Sequence, residues 1–171
     1  MAYASLRRCV WQSPLGPLSL WAWGDELVRV GFPGHNDLIE AGWAQRYFAT
    51  QPIPAACDEA LFRAAIAQFA DYFAARRRVF DLPIALYGTE FQKQVWQAVS
   101  TVAWGQTSTY RAIAEQIGKP LAVRAVGAAN GANPLSIIVP CHRIVGSDGK
   151  LHGYGGGIER KERLLALERA A

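Results

Sequence analysis

Cysteine, histidine and arginine stand in a row at Cys141-His142-Arg143, between the apolar run Ile138-Val139-Pro140 and Ile144, with the glycine cluster Gly153-Tyr154-Gly155-Gly156-Gly157 a short way downstream. A thiol attacks only as its thiolate, and at an ordinary pKa of about 8.5 only a few per cent is ionised at neutral pH. The two basic neighbours read as a device for raising that fraction. The competing reading is a buried, inert cysteine beside a satisfied histidine. Arg124-Ala125-Val126-Gly127 opens a segment of small residues upstream, and Asn133-Pro134 follows it.

These groups must be held by secondary structure, and the pattern of the second half is helical. Thr89 caps a run with Phe91, Val95, Trp96 and Val99 on one face. Trp104-Gly105 ends a loop. Thr109 caps a short helix from Tyr110 to Ile117 that Gly118 stops. Pro120 falls near the first turn of the next helix, which runs to about Gly131. Two short helices joined by Gly118-Lys119-Pro120 have the spacing of a helix-turn-helix. The run into Cys141 reads as a buried strand, so Cys141 and His142 are expected on opposite faces. Ile158 to Glu168, with Ile158, Leu164, Leu165 and Leu167, makes a final helix.

The first half differs. Residues 3–32 alternate apolar and polar around Pro14-Leu15-Gly16-Pro17 and Gly24-Asp25, as three antiparallel strands do. Residues 33–57 read mostly as loop, with a short helix around Glu40-Phe48. Asp58 is the expected cap of a helix whose face is Leu61, Ala65, Phe69 and Phe73. Arg76-Arg77-Arg78 follow it, where cations favour the negative pole of the helix dipole. Phe80 to Leu86 reads as strand and linker. The expected domains are residues 1–86 and 87–171.

With 171 residues, 51% apolar and 19% charged, the chain reads as a globular protein. No apolar run is long enough for a membrane span, and no signal peptide is evident. Of the three cysteines, Cys9, Cys57 and Cys141, none forms a C-x-x-C, so neither a metal site nor a disulfide framework is expected. An odd cysteine count suits a reducing cytoplasm. Residues 1–85 carry eight Arg against eight Asp and Glu, whereas residues 86–171 carry ten Lys and Arg against six. The whole net charge of +4 therefore lies in the half with the cysteine motif, which suits a polyanionic partner there.

The Ile-Val-Pro-Cys-His-Arg-Ile-Val-Gly motif, with Tyr110, Arg124-Ala125-Val126-Gly127, Asn133-Pro134 and the Tyr154 glycine loop, resembles the O6-alkylguanine-DNA alkyltransferases of the bacterial stand-alone type. The resemblance runs from about Gly88 to Glu168. It implies an α+β fold: a small N-terminal antiparallel-sheet domain of ribonuclease-H-like type, and a C-terminal helical domain with a winged helix-turn-helix-like element. It implies direct reversal of O6-alkylguanine damage, with O4-alkylthymine left open. The alkyl group passes irreversibly to Cys141, without a cofactor.

The partner implied is double-stranded DNA carrying the lesion, bound by a monomer, with cooperativity on DNA left open. Cys141, a water, His142 and Glu168 would form a relay that deprotonates the thiol. Tyr110 would help rotate the nucleotide and donate to the departing base. Arg124 would fill the gap left by the base, and Ala125 and Gly127 would let the helix approach the minor groove. Asn133 would be a hinge. Pro140, Ile144, Tyr154, Gly155 and Gly156 would shape the pocket, with Ser136 and His152 flanking it. Rival readings are a damage-binding protein without transfer, a helix-turn-helix regulator, and a cysteine hydrolase.

Overall fold

The computed structural model describes residues 5–34 and 37–170, so Tyr3 and Ala4 of the expected first strand lie outside the described residues. The protein is a mixed α+β chain with a small sheet and helices. It divides into two units, residues 1–87 and 88–171.

In the first unit, β1 (Leu6–Ser13), β2 (Gly16–Trp23) and β3 (Glu26–Gly31) form the three expected antiparallel strands. Both turns use the left-handed region, with Gly16 at φ 100° and Gly24 at φ 57°. After α1 (Asp37–Phe48) comes the two-residue β4 (Ile53–Pro54), which pairs parallel with β1, so the sheet order is β3-β2-β1-β4. The apolar faces of β1–β3 close over Leu6, Trp21, Val28 and Ala44, against which Trp23, Trp43, Phe48 and Tyr87 pack. Full burial of side chains of this kind contributes about 1.5–3 kcal/mol each.

Helix α2 (Ala60–Phe73) corrects two expectations. Its N-cap is Glu59, which makes no side-chain cap bond, rather than Asp58. Its buried face is Phe62, Ala65, Phe69 and Tyr72, because the 3.6-residue period can be met by two adjacent rows and the larger apolar side chains decide between them. The expected strand at 80–86 is reduced to a single bridge, Leu27 to Ile84, with Pro83 accepting from the Leu27 amide.

The second unit is carried by α3 (Glu90–Ser100), α4 (Tyr110–Gln116), α5 (Val123–Gly131) and α6 (Ile158–Arg169). Thr89 closes a reciprocal capping box with Gln92 at the start of α3, an arrangement that contributes about 1 kcal/mol. Gly88 before it is required: a Cβ there would lie 2.4 Å from the Trp96 ring. Thr109 caps α4 by accepting from the Ala112 amide at 3.0 Å. Pro120 lies in the turn before α5, not in its first turn, since the helix starts at Val123. Trp96 of α3 donates to the Ala129 carbonyl of α5 at 2.8 Å and fixes those helices together.

The short strands β5 (Ser108–Thr109) and β6 (Ile144–Val145) pair in parallel. That pairing brings the segment following Cys141 alongside the residues that begin α4. The run into Cys141 is not a strand. Ile137 sits at φ 74°, Val139 donates back to the Leu135 carbonyl, and Cys141–Arg143 form a single 3-10 turn. Apolar residues crowd there because Leu135, Ile137 and Val139 are buried, and burial of a short run does not distinguish strand from turn.

Candidate functional site

The 3-10 turn puts Cys141 at its first position with the thiol buried. Cys141 lines a pocket together with Asn130, Gly131, Asn133, Ser136, Gly153, Tyr154 and Gly155. Asn133 braces the turn from below: its amide donates to the Val139 carbonyl at 2.8 Å, and its oxygen accepts from the Leu135 amide at 2.9 Å. Asn130, from α5, donates to the Cys141 carbonyl at 3.3 Å.

Burial pushes the Cys141 thiol above its ordinary pKa; a hydrogen bond from the Asn133 side chain and the charge of Lys161 pull it back. The cation bearing on the sulfur is therefore Lys161, from α6, and not the two residues next to the cysteine in sequence. Lys161 is fully buried, donating to the Ile144 carbonyl at 2.6 Å and the His152 carbonyl at 3.0 Å. Its ammonium lies 5.9 Å from the centre of the Tyr110 ring. No sequence signal marked it, since one lysine on a charged amphipathic helix reads as solvated.

His142 and Arg143 turn instead to Glu168. The His142 Nε2 lies 2.7 Å from Glu168 Oε1. Arg143 grips the same carboxylate with two bonds, Nε to Oε2 at 2.8 Å and Nη2 to Oε1 at 3.0 Å, and donates through Nη1 to the Val102 carbonyl. The Gly105 amide adds a further donor at 3.4 Å. The pair of His142 and Glu168, expected only from resemblance, is thus in direct contact, and Arg143 is a third member that the sequence did not reveal. Burial lowers the His142 pKa against the raising effect of Glu168, so the ring is neutral at pH 7. Its Nε2 proton is committed to the carboxylate, which leaves the other ring nitrogen as the basic one.

The remaining expected residues are spread around this centre. Tyr110, first in α4, donates to the His152 carbonyl at 3.2 Å, and burial raises its pKa, so the phenol stays protonated. The Tyr154 hydroxyl is buried and likewise held well above its usual range by desolvation. Pro140 is buried directly before the turn. Ile144 and Gly156, expected to shape the pocket, are not among its lining residues: the Ile144 carbonyl accepts from Lys161, and the Gly156 carbonyl accepts from Arg160. Arg124 is exposed at the start of α5. On that helix Ala125, Ala128 and Gly131 are also exposed, and Gly127 faces the Tyr110 ring, with room for a Cβ at 3.8 Å. Close helix packing therefore does not account for most of its small residues.

Among the described residues, no group of three or more His, Cys, Asp and Glu side chains could hold a metal ion, and no helix is long and apolar enough to cross a membrane.

Comparison with known proteins bears on the same region. The family model for the DNA-binding domain of 6-O-methylguanine DNA methyltransferase matches residues 90–170. The methylated-DNA–protein-cysteine methyltransferase of Mycobacterium tuberculosis is 45% identical over 158 residues, which cover 92% of this chain and 89% of that protein. The protein of the same name from Methanosarcina barkeri is 43% identical over 159 residues, 92% of this chain and 93% of its own length. Among solved structures, Mycobacterium tuberculosis OGT in complex with DNA superposes with a TM-score of 0.83 at 43% identity, over 96% of this chain and 93% of that one.

Proposed function

Because this chain belongs to the methylated-DNA–protein-cysteine methyltransferase family, we propose that it reverses O6-alkylguanine damage in DNA by accepting the alkyl group on Cys141. The observation that carries this reading is Cys141 itself, set in a pocket between Asn133, Tyr154 and Gly155, with a buried cation and a buried His–Glu–Arg cluster around it.

DNA is bound in the second unit. There α4, the turn at Gly118 and α5 support a helix-turn-helix, with the β5–β6 pair beside it as a winged element. The minor groove is only about 6 Å wide, so a helix showing Ala125, Ala128 and Gly131 can press against it where bulky side chains would not fit. The first unit supports a ribonuclease-H-like domain through its strand order β3-β2-β1-β4 and parallel β1–β4 pair.

A paired base cannot offer its O6 substituent to a recessed thiol, so the nucleotide is turned out of the helix. Arg124, exposed beside the small face, takes the vacated place, since its planar head can stack and hydrogen-bond together. His142, buried in the same 3-10 turn as the thiol, accepts its proton through a bridging water, and Glu168, itself gripped by Arg143, fixes the ring. The sulfur attacks the alkyl carbon. A new S–C bond forms as the C–O6 bond breaks, and guanine leaves with the electron pair. Tyr110, protonated at neutral pH, donates to the departing base. The protein acts as a monomer.

The thioether formed has no carbonyl for water to attack and no S–S bond for a thiol to exchange. Each molecule therefore acts once. With methylated duplex in excess, repaired guanine is expected to plateau at one equivalent, with the mass of one methylene added to the Cys141 peptide alone. Continued turnover, or alkylation elsewhere at the same rate, would refute the assignment.

A further inference from the structure

The mechanism leaves two cysteines unused, and they are neighbours. Cys9 lies buried in the middle of β1. Cys57 follows β4, which pairs with β1 through Arg7–Ile53 and Arg8–Pro54, and the pairing is prolonged by the Ala55 amide donating to the Arg8 carbonyl at 2.8 Å. This extension carries Cys57 back to β1, where its thiol donates at 3.5 Å to the carbonyl of Val10, the residue next to Cys9, and where the Cys57 side chain helps hold the Cys9 thiol above its usual range. Cys57 is partly exposed, whereas Cys9 is not.

We propose that Cys9 and Cys57 are a disulfide-forming pair, a modification site in the first unit that accepts oxidation from small disulfides such as glutathione disulfide. The partly exposed Cys57 sulfur attacks the glutathione disulfide, releasing one glutathione thiolate and forming a mixed disulfide. Cys9 then loses its proton and attacks the Cys57 sulfur, displacing the second glutathione. Two protein thiols are oxidised to one S–S bond, and one glutathione disulfide is reduced to two thiols. The desolvation that raises the Cys9 thiol makes this closing step the slower one and speeds it as pH rises. The bond would join β1 to the β4–α2 connection and close a loop of about 48 residues, a constraint that acts on the unfolded chain. The site is separate from the alkyl acceptor, whose thiol lies in the second unit.

The test uses the full chain, incubated with glutathione disulfide across a pH series, quenched with N-ethylmaleimide and weighed intact and as peptides. The expected product has lost two hydrogens, links the Cys9 and Cys57 peptides, forms faster at alkaline pH, and melts several degrees higher until a reductant is added. The same link is expected in Cys141→Ser, and its absence is expected in Cys57→Ser, which keeps its buried neighbour and its fold. A stable glutathione adduct on Cys57 with Cys9 still alkylatable would overturn the proposal. A cross-link that needs Cys141 would also overturn it.

Discussion

The two units bury different things. In the first, rings of Trp23, Trp43, Tyr47, Phe48 and Tyr87 meet at tilted and edge-on angles, 4.7–6.4 Å between centres, and among the described residues the buried charge is Glu40, held by Arg29. In the second, Asn130, His142, Arg143, Lys161 and Glu168 are all buried within or around one 3-10 turn. Buried charge is costly unless it is paired and hydrogen-bonded, so a fold that concentrates it does so for chemistry more than for stability. Each of these groups meets that cost locally. Lys161 spends its donors on two carbonyls, and Glu168 collects His142, Arg143 and Gly105. The first unit's core is aromatic and apolar; the second adds a satisfied polar cluster to an apolar core of its own, in which Val95, Trp96, Ile113 and Leu164 are buried. The two should therefore fail differently when perturbed.

The largest effect falls on the sulfur. Cys141→Ser should abolish alkyl acceptance while leaving the melting transition close to that of the parent, because the substitution is nearly isosteric. Intact mass after exposure to methylated duplex measures the first, and calorimetry the second. Next is Glu168→Ala. It leaves Arg143 buried without its carboxylate and removes the partner of His142, so a stability loss of about 3–5 kcal/mol is expected in denaturant titration, with repair lost alongside. A loss much smaller than that would mean water reaches the cluster, and the contrast between the units would weaken.

How far these two regions could be read from sequence follows from the same difference. The β1–β3 meander and the caps at Thr89 and Thr109 were legible because their signals are local: alternation, a two-residue Gly24-Asp25 turn, a hydroxyl ahead of an amphipathic run. On α2 the middle of the buried face, Ala65 and Phe69, follows from periodicity, while Phe62 and Tyr72 replace Leu61 and Phe73 at its ends, where the 3.6-residue period leaves two adjacent positions to choose between. The turn at Cys141 was misread as a strand, because burial from outside made an apolar run that its backbone, with Ile137 at positive φ, does not use for pairing. Lys161 and the double grip of Arg143 on Glu168 were invisible. They depend on α6 returning from far along the chain, and nothing in residues 158–169 distinguishes a buried lysine from a solvated one. Resemblance supplied Glu168 and Tyr110; geometry alone supplied the lysine.

Arg124 tests the division inside the second unit. It is exposed and outside the polar cluster, so Arg124→Ala should leave stability unchanged within about 0.5 kcal/mol. It should slow repair of duplex DNA roughly 10- to 100-fold, by loss of positioning, and spare reaction with a free alkylated guanine that needs no extrusion. Equal loss on both substrates would move Arg124 into the pocket. Lys161→Met acts more gently. Removing the charge that opposes burial raises the Cys141 pKa further, so less thiolate is present at a given pH. The rate at neutral pH should fall about tenfold for a one-unit rise, and the pH–rate profile should move to the alkaline side, with recovery at high pH. A loss that is the same at every pH would assign Lys161 a purely structural part through the Ile144 and His152 carbonyls.

The smallest expected effect separates the two kinds of buried ion pair directly. Arg29 and Glu40 lie 3.2 Å apart at 14% and 9% side-chain exposure, with the guanidinium 5.3 Å from the Trp43 ring centre and 5.7 Å from that of Trp21. That surrounding is already aromatic and apolar. Replacing both members at once, Arg29→Met with Glu40→Leu, removes two desolvation costs along with one attraction, and stability should stay within about 1 kcal/mol of the parent. Repair of a free alkylated guanine should be unchanged. The matching replacement in the second unit, Arg143→Met with Glu168→Leu, also removes a pair, yet it takes from His142 the carboxylate that lies 2.7 Å from its Nε2. Activity should be lost there even if the fold survives. If both double variants were equally active, the polar cluster would be a folding device like its counterpart in the first unit, and the thiol would owe its reactivity to Asn133 and Lys161 alone.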